Sequence, residues 1–219
     1  MMEMAKRMGM PNLPDGTKVL SDIILTSDVK TAAQNTDLIS ESIPENHALK
    51  REVHARFESL CPQHTIITTN TSSLSVSEIA IAFHRPEIFA AMHFHSGLAP
   101  LVDIMAGAKT ASEIINKLKE FVKSVGLIPM VMRKETPGYF YNNILIAMNM
   151  MSLKLAATGS GTPRDIDRAW MMVTGNPIGP FGILDAVGIN VAHDIARSYQ
   201  TLEEKEKIIA FLLPYIDKN

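Results

Sequence analysis

Three side chains able to handle protons or metals lie close together: His93, His95 and Asp103. Phe89–His95 is otherwise apolar and reads as a strand, in which a side-chain period of two puts both imidazoles on one face. Imidazole titrates near neutrality, so His93 suits a general base that takes a hydroxyl proton and returns it. Asp103, in the short strand Leu101–Met105, suits a partner that holds that imidazole in one tautomer and stabilises its charged form. Two other readings stay open. A buried histidine is often simply hydrogen-bonded. The same three residues are also chemically plausible metal ligands. His-x-His with one acid is a weak metal signature, and the expectation is that no metal is held.

Two further polar groups follow other strands. Thr65–Asn70 runs into Asn70-Thr-Ser-Ser73 and then a helix. Turn formation and capping account for these residues, and a row of hydroxyls at a binding crevice is the functional reading. Glu45, Asn46 and Lys50 follow the strand Thr36–Ile43. Helix-end charge and a solvated face account for them structurally. Open α/β sheets bind ligands at the carboxyl ends of their strands, where all three groups fall.

The elements that position them alternate. Val19–Thr26 reads as a short strand, and Ser27 or Asp28 caps a short helix. After Thr36–Ile43, Pro44 and Glu45 suit the first turn of a helix reaching Cys61, with Val53, Phe57 and Leu60 as its apolar stripe. Ser75-Val-Ser-Glu78 and Thr110-Ala-Ser-Glu113 are capping boxes, for helices to about His84 and to about Val125. Leu127–Met132 is a last strand. Residues 19–132 thus have the alternation of a parallel sheet with helices on its faces. After Lys134 the pattern is helical: Tyr139–Thr158, a helix opened by Thr162-Pro163 and ending near Gly175, a proline–glycine corner, then Ile183–Ala186, Asn190–Ser198 and Lys205–Leu213. The domain boundary is placed at 133–136.

The chain has 219 residues, 46% hydrophobic and 20% charged, an ordinary globular balance. A net charge of −2 argues against nucleic acid. The single Cys61 excludes an intrachain disulfide and a cysteine-based zinc framework, and suits a reducing, cytoplasmic setting. Met1–Met10 does not read as a signal peptide, and Ile208–Ile216 is too short to span a bilayer, so no membrane is expected. The chain has 14 methionines, three of them in Met148-Asn-Met-Met151, where soft side chains usually fill a helix seam.

Ser40-Glu-Ser-Ile-Pro-Glu-Asn46 with Leu49-Lys50, Thr65-Ile-Ile-Thr-Thr-Asn-Thr-Ser-Ser-Leu74, Arg85-Pro-Glu87, His93-Phe94, Pro137-Gly138 with Asn142, Ile166-Asp167, and Gly175-Asn-Pro-Ile-Gly-Pro-Phe181 with Leu184-Asp185 and Val187-Gly188 stand in order. Over about residues 25–195 this resembles the 3-hydroxyacyl-CoA dehydrogenases, including the short-chain 3-hydroxybutyryl-CoA enzymes. The resemblance implies an NAD-dependent oxidoreductase of fatty acid metabolism that interconverts 3-hydroxyacyl-CoA and 3-ketoacyl-CoA. It makes His93 the base and sets Asp103 where the family usually has a glutamate. Ser72 matches a serine touching substrate and nicotinamide, Asn142 the active-site asparagine of the helical domain, and Glu45 and Lys50 residues that contact the cofactor. Ser96 stands in place of a cofactor-contacting asparagine. An acyl-CoA substrate and a homodimer built through the helical domain follow from the same resemblance.

Three departures accompany it. No Gly-x-Gly-x-x-Gly loop occurs, so the first strand, its helix and the second strand of the family are expected to be missing. The family's His-Phe-x-Asn-Pro is His93-Phe-His-Ser-Gly97, the segment to Asp103 is shorter, and aspartate reaches roughly 1.3–1.5 Å less far than glutamate. The sequence stops at Asn219, without the glycine-rich tail that the resemblance leads one to expect next and that would contribute to the nucleotide site. The expectation is therefore an α/β fold: a partial doubly wound (Rossmann-like) parallel sheet in an incomplete NAD-binding domain, 1–134, followed by an all-α substrate and dimerisation domain, 135–219. Oligomerisation or residues 1–20 would cover the open sheet edge. The alternative is a non-catalytic dimerisation or acyl-CoA-binding remnant of the family.

Overall fold

The computed structural model describes residues 20–95, 100–190, 193 and 205–216. The chain divides after Thr136 into two compact units.

In the first unit, α1 (Val29–Ala33) starts at Asp28, whose carboxylate accepts from Lys30 N and Thr31 N. β1 (Leu38–Glu41), α2 (His47–Leu60), β2 (Ile66–Thr69), α3 (Val76–Ala80), β3 (Phe89–Phe94), β4 (Leu101–Ala106), α4 (Ser112–Ser124) and β5 (Ile128–Val131) follow. The strands form one sheet in the order β1-β2-β3-β4-β5. All pairs are parallel except β3–β4, which is antiparallel. That corrects the uniform alternation read from the sequence. The link from Phe94 to Leu101 is too short for a crossover, which needs a dozen or more residues.

The period of two splits the strands between two layers. Ala90, Met92, Val102 and Ile104 pack against Ile114, Leu118 and Val122 of α4. The opposite face carries Phe89, whose ring meets His54 of α2 and stacks on Phe83.

Four local expectations fail. Residues 20–26 form no strand, and Ile24 and Leu25 are exposed. The first long helix begins at His47 with Asn46 as its cap, leaving Pro44 outside it. The buried stripe of α2 is Lys50, His54 and Glu58, whereas Val53, Phe57 and Leu60 are only half-buried. The Thr110–Glu113 box does not form: Thr110 Oγ1 instead donates to Phe89 O and accepts from Gly107 N, and α4 starts at Ser112 without a side-chain cap. The Ser75 box is half made, since Ser75 Oγ accepts from Glu78 N, and α3 stops at Ala80.

The second unit contains α5 (Tyr139–Ala157), α6 (Pro163–Thr174), α7 (Pro180–Val187) and α8 (Lys205–Ile216). Met150, Leu153, Leu184, Ile208 and Leu212 form its core. Helix α6 carries a complete capping box between Thr162 and Asp165. Asp167 accepts from Phe181 N and Gly182 N, so it caps α7. Its atoms come within 2.4–2.6 Å of where a Cβ on Gly179 would stand, so only glycine fits there. Pro214 lies inside α8, which therefore runs past the expected stop at Leu213. The Asn190–Ser198 helix and the Thr201–Glu204 cap fall outside the described residues, apart from Asn190 and His193.

Candidate active site

The antiparallel pairing brings the first group together. His93 lies opposite Asp103 in the β3–β4 ladder. Directly paired residues project to one face, a few ångströms apart. Asp103 is fully buried, and His93 nearly so. Asp103 Oδ2 is 2.7 Å from His95 Nε2 and 3.6 Å from His93 Nδ1. The first distance is a hydrogen bond; the second is an ion-pair separation. The carboxylate expected to serve His93 alone is thus shared, and its shorter contact is with His95. The two imidazoles stand edge to face, with centroids 4.7 Å apart. Asp103 Oδ1 accepts no hydrogen bond among the described residues. One ligand atom from each of the three residues lies within 4.8 Å of the others.

The second group sits where β1 and β2 end. Glu45 precedes α2, and its carboxylate accepts from Thr71 Oγ1 (2.8 Å), Ser72 N (2.6 Å) and Ser72 Oγ (3.1 Å). Partial burial pushes the Glu45 carboxyl upward, but the Ser72 N–H, the Thr71 hydroxyl and Lys50 together bring it below its usual value. The acid therefore holds the 71–73 turn as an anion.

Beneath it lies a network the sequence reading missed. Glu41, at the end of β1, accepts from Lys50 Nζ (2.8 Å), Ile43 N (2.5 Å) and Thr69 Oγ1 (2.7 Å), and its Oε2 is 2.9 Å from His54 Nε2. All four side chains are buried. Burial alone would raise the Glu41 carboxyl; the His54, Lys50 and Thr69 hydrogen bonds outweigh it and hold it at about 2. Lys50 also donates to Ile43 O (3.0 Å) and lies 3.5 Å from Glu45 Oε2. A lysine and a histidine at i and i+4 behind a strand ending in glutamate was the available signal.

Asn70 joins the two groups. Its backbone N–H donates to Glu41 O, and its Oδ1 accepts from Phe94 N (2.8 Å). Among the expected site residues, the structure brings Glu45, Lys50 and Ser72 together, and His93 with Asp103. Asn142 lies in the first turn of α5, in the second unit. Ser96 is outside the described residues.

Profiles of known families match both units. One described as "3-hydroxyacyl-CoA dehydrogenase, NAD binding domain" matches residues 1–136, and "3-hydroxyacyl-CoA dehydrogenase, C-terminal domain" matches 138–215. The chain belongs to the 3-hydroxyacyl-CoA dehydrogenase family. It is 32% identical over 212 residues to the mitochondrial hydroxyacyl-coenzyme A dehydrogenase of Homo sapiens, an alignment covering 94% of this chain and 67% of that protein. A solved diketoreductase, described as acting on dicarbonyl compounds, superposes with a TM-score of 0.87 at 30% identity, covering 96% of this chain and 75% of that one. The 5-formyl-3-hydroxy-2-methylpyridine 4-carboxylate 5-dehydrogenase of Mesorhizobium japonicum is 28% identical, over 78% of this chain and 57% of its own length. Against the rat counterpart of the human enzyme the chain spans 61% of the relative's length. Among the described residues no helix is long and apolar enough to cross a membrane.

Proposed function

We propose that this chain works in an NAD-dependent oxidoreductase that interconverts 3-hydroxyacyl-CoA and 3-ketoacyl-CoA, with short-chain substrates of the 3-hydroxybutyryl type, and that His93 is its general base. The observation that carries this is the buried Asp103 carboxylate opposite His93 at the carboxyl edge of the sheet. In the oxidative direction His93 Nε2 takes the proton of the 3-hydroxyl, and the nearby carboxylate stabilises the imidazolium that forms. In reverse the same nitrogen returns it. Bound NAD supplies the hydride acceptor.

The donor set fits the nicotinamide end of such a cofactor. Thr71, Ser72 and Ser73 form a hydroxyl row that Glu45 fixes from below. Lys50 is held beside it by Glu41. Ser72 is assigned to substrate and nicotinamide, Asn142 to catalysis and Ser96 to the cofactor, on the family pattern. The relatives' names span hydroxyacyl-coenzyme A, dicarbonyl compounds and a pyridine carboxylate. The acyl-CoA choice rests on the human relative and on the motif set.

Homodimerisation belongs to the helical unit in this reading. Ile144, Met151 and Leu155 of α5 and Met172 and Val173 of α6 are exposed apolar side chains. Free Cys61 suits a reducing compartment, read here as the cytoplasm. The test is NADH binding by fluorescence together with turnover of acetoacetyl-CoA. Both are expected. Acyl-CoA binding without NADH binding would favour the non-catalytic remnant instead.

A further inference from the structure

We propose that His93, His95 and Asp103 form a site for a borderline-soft divalent cation, zinc foremost, and that its occupation silences the enzyme. The donor set is two imidazoles and one carboxylate, the combination found in three-ligand zinc sites with an open fourth position. Their ligand atoms already lie within 4.8 Å of one another. Bonds of about 2.0–2.2 Å place tetrahedral ligands roughly 3.3–3.6 Å apart. The Asp103–His93 separation, 3.6 Å, is close to that, and the Asp103–His95 contact, 2.7 Å, needs only to open slightly.

A second observation points the same way. Asp103 is 0% exposed, yet its Oδ1 accepts no hydrogen bond among the described residues. A buried carboxylate oxygen without a donor is unfavourable, and a cation held by both carboxylate oxygens satisfies it. The backbone builds the site: His93 and Asp103 are ladder partners, and His95 follows on the same face. Cation binding occupies one nitrogen of each ring and the shared carboxylate, so His93 no longer has an anion to stabilise its protonated form. This inhibitory half rests on the proposed role of His93; the binding half does not.

The experiment is a titration of the protein with Co2+, read by its visible d–d absorption, repeated with His95→Phe and Asp103→Asn. The phenylalanine keeps a ring and the asparagine keeps the shape, and far-UV circular dichroism checks that both variants fold. One Co2+ per chain is expected, displaced by Zn2+. Each variant is expected to weaken binding by at least about a hundredfold, the upper end of what losing a supporting partner costs. No d–d signal in the wild type, or a signal unchanged in both folded variants, would overturn the site. Zn2+ bound with unimpaired turnover would overturn the inhibitory half. If His93→Ala proves active while Co2+ binding follows the expectation, the functional reading fails and the metal site stands.

Discussion

Two buried acids at one sheet edge are each set between two basic side chains, and they are treated oppositely. Glu41 meets Lys50 and His54 and receives further donors from Ile43 and Thr69 on its two oxygens. Asp103 meets His95 and, at a longer distance, His93, and one of its oxygens accepts nothing among the described residues. Breaking a fully paired buried ion cluster is strongly destabilising. Altering an underfilled one changes chemistry more than stability. The difference separates a charge that holds the fold from a charge left available to a proton, a cation or a reacting imidazole.

The largest effect expected from breaking this contrast is on stability. Glu41→Gln should cost roughly 3 kcal/mol at neutral pH, the equivalent of the depression of its carboxyl to about 2. Because the folded value lies below the unfolded one, the contribution is complete above about pH 4.5 and is lost as pH falls toward 2. Urea unfolding across that range should show wild type and variant converging in acid. Asp103→Asn should show the opposite emphasis: it should cost about 1.5–3 kcal/mol, one hydrogen bond to a charged group, while turnover should fall by up to about 10⁴-fold, as when an imidazole's carboxylate partner becomes an amide. Chemical denaturation beside steady-state kinetics separates the two. The smallest effect sharpens the cofactor side. Glu45→Gln weakens the hold on the 71–73 turn and should raise the Kd for NADH by about 5–10-fold, the equivalent of one ordinary hydrogen bond of about 1 kcal/mol. Fluorescence titration measures it.

Much of this was legible in the residues. The α/β alternation, the helical second half and the carboxyl-edge position of His93, Ser72 and Glu45 follow from periodicity and turn residues. The antiparallel β3–β4 pair was not recognised, although the short link between Phe94 and Leu101 forbids a parallel one. The buried face of α2 was misread because hydrophobic periodicity counts apolar residues. Lys50, His54 and Glu58 are buried through ionic and hydrogen-bonded partners on β1 and at residues 84–85, which no local window contains. Thr110 was read as a cap for the same reason: its actual partner, Phe89 O, lies 21 residues away. The sharing of Asp103 between two rings depends on side-chain placement that spacing alone does not set.

Whether His93 moves the proton of the reacting hydroxyl can be read from single-turnover reduction of acetoacetyl-CoA with NADH already bound, comparing wild type with His93→Ala at equal NADH occupancy. Equal NADH binding is expected, with hydride transfer slowed by about 10²–10⁴-fold in the variant. Transfer at the wild-type rate in a folded, NADH-loaded His93→Ala protein would contradict that role of His93.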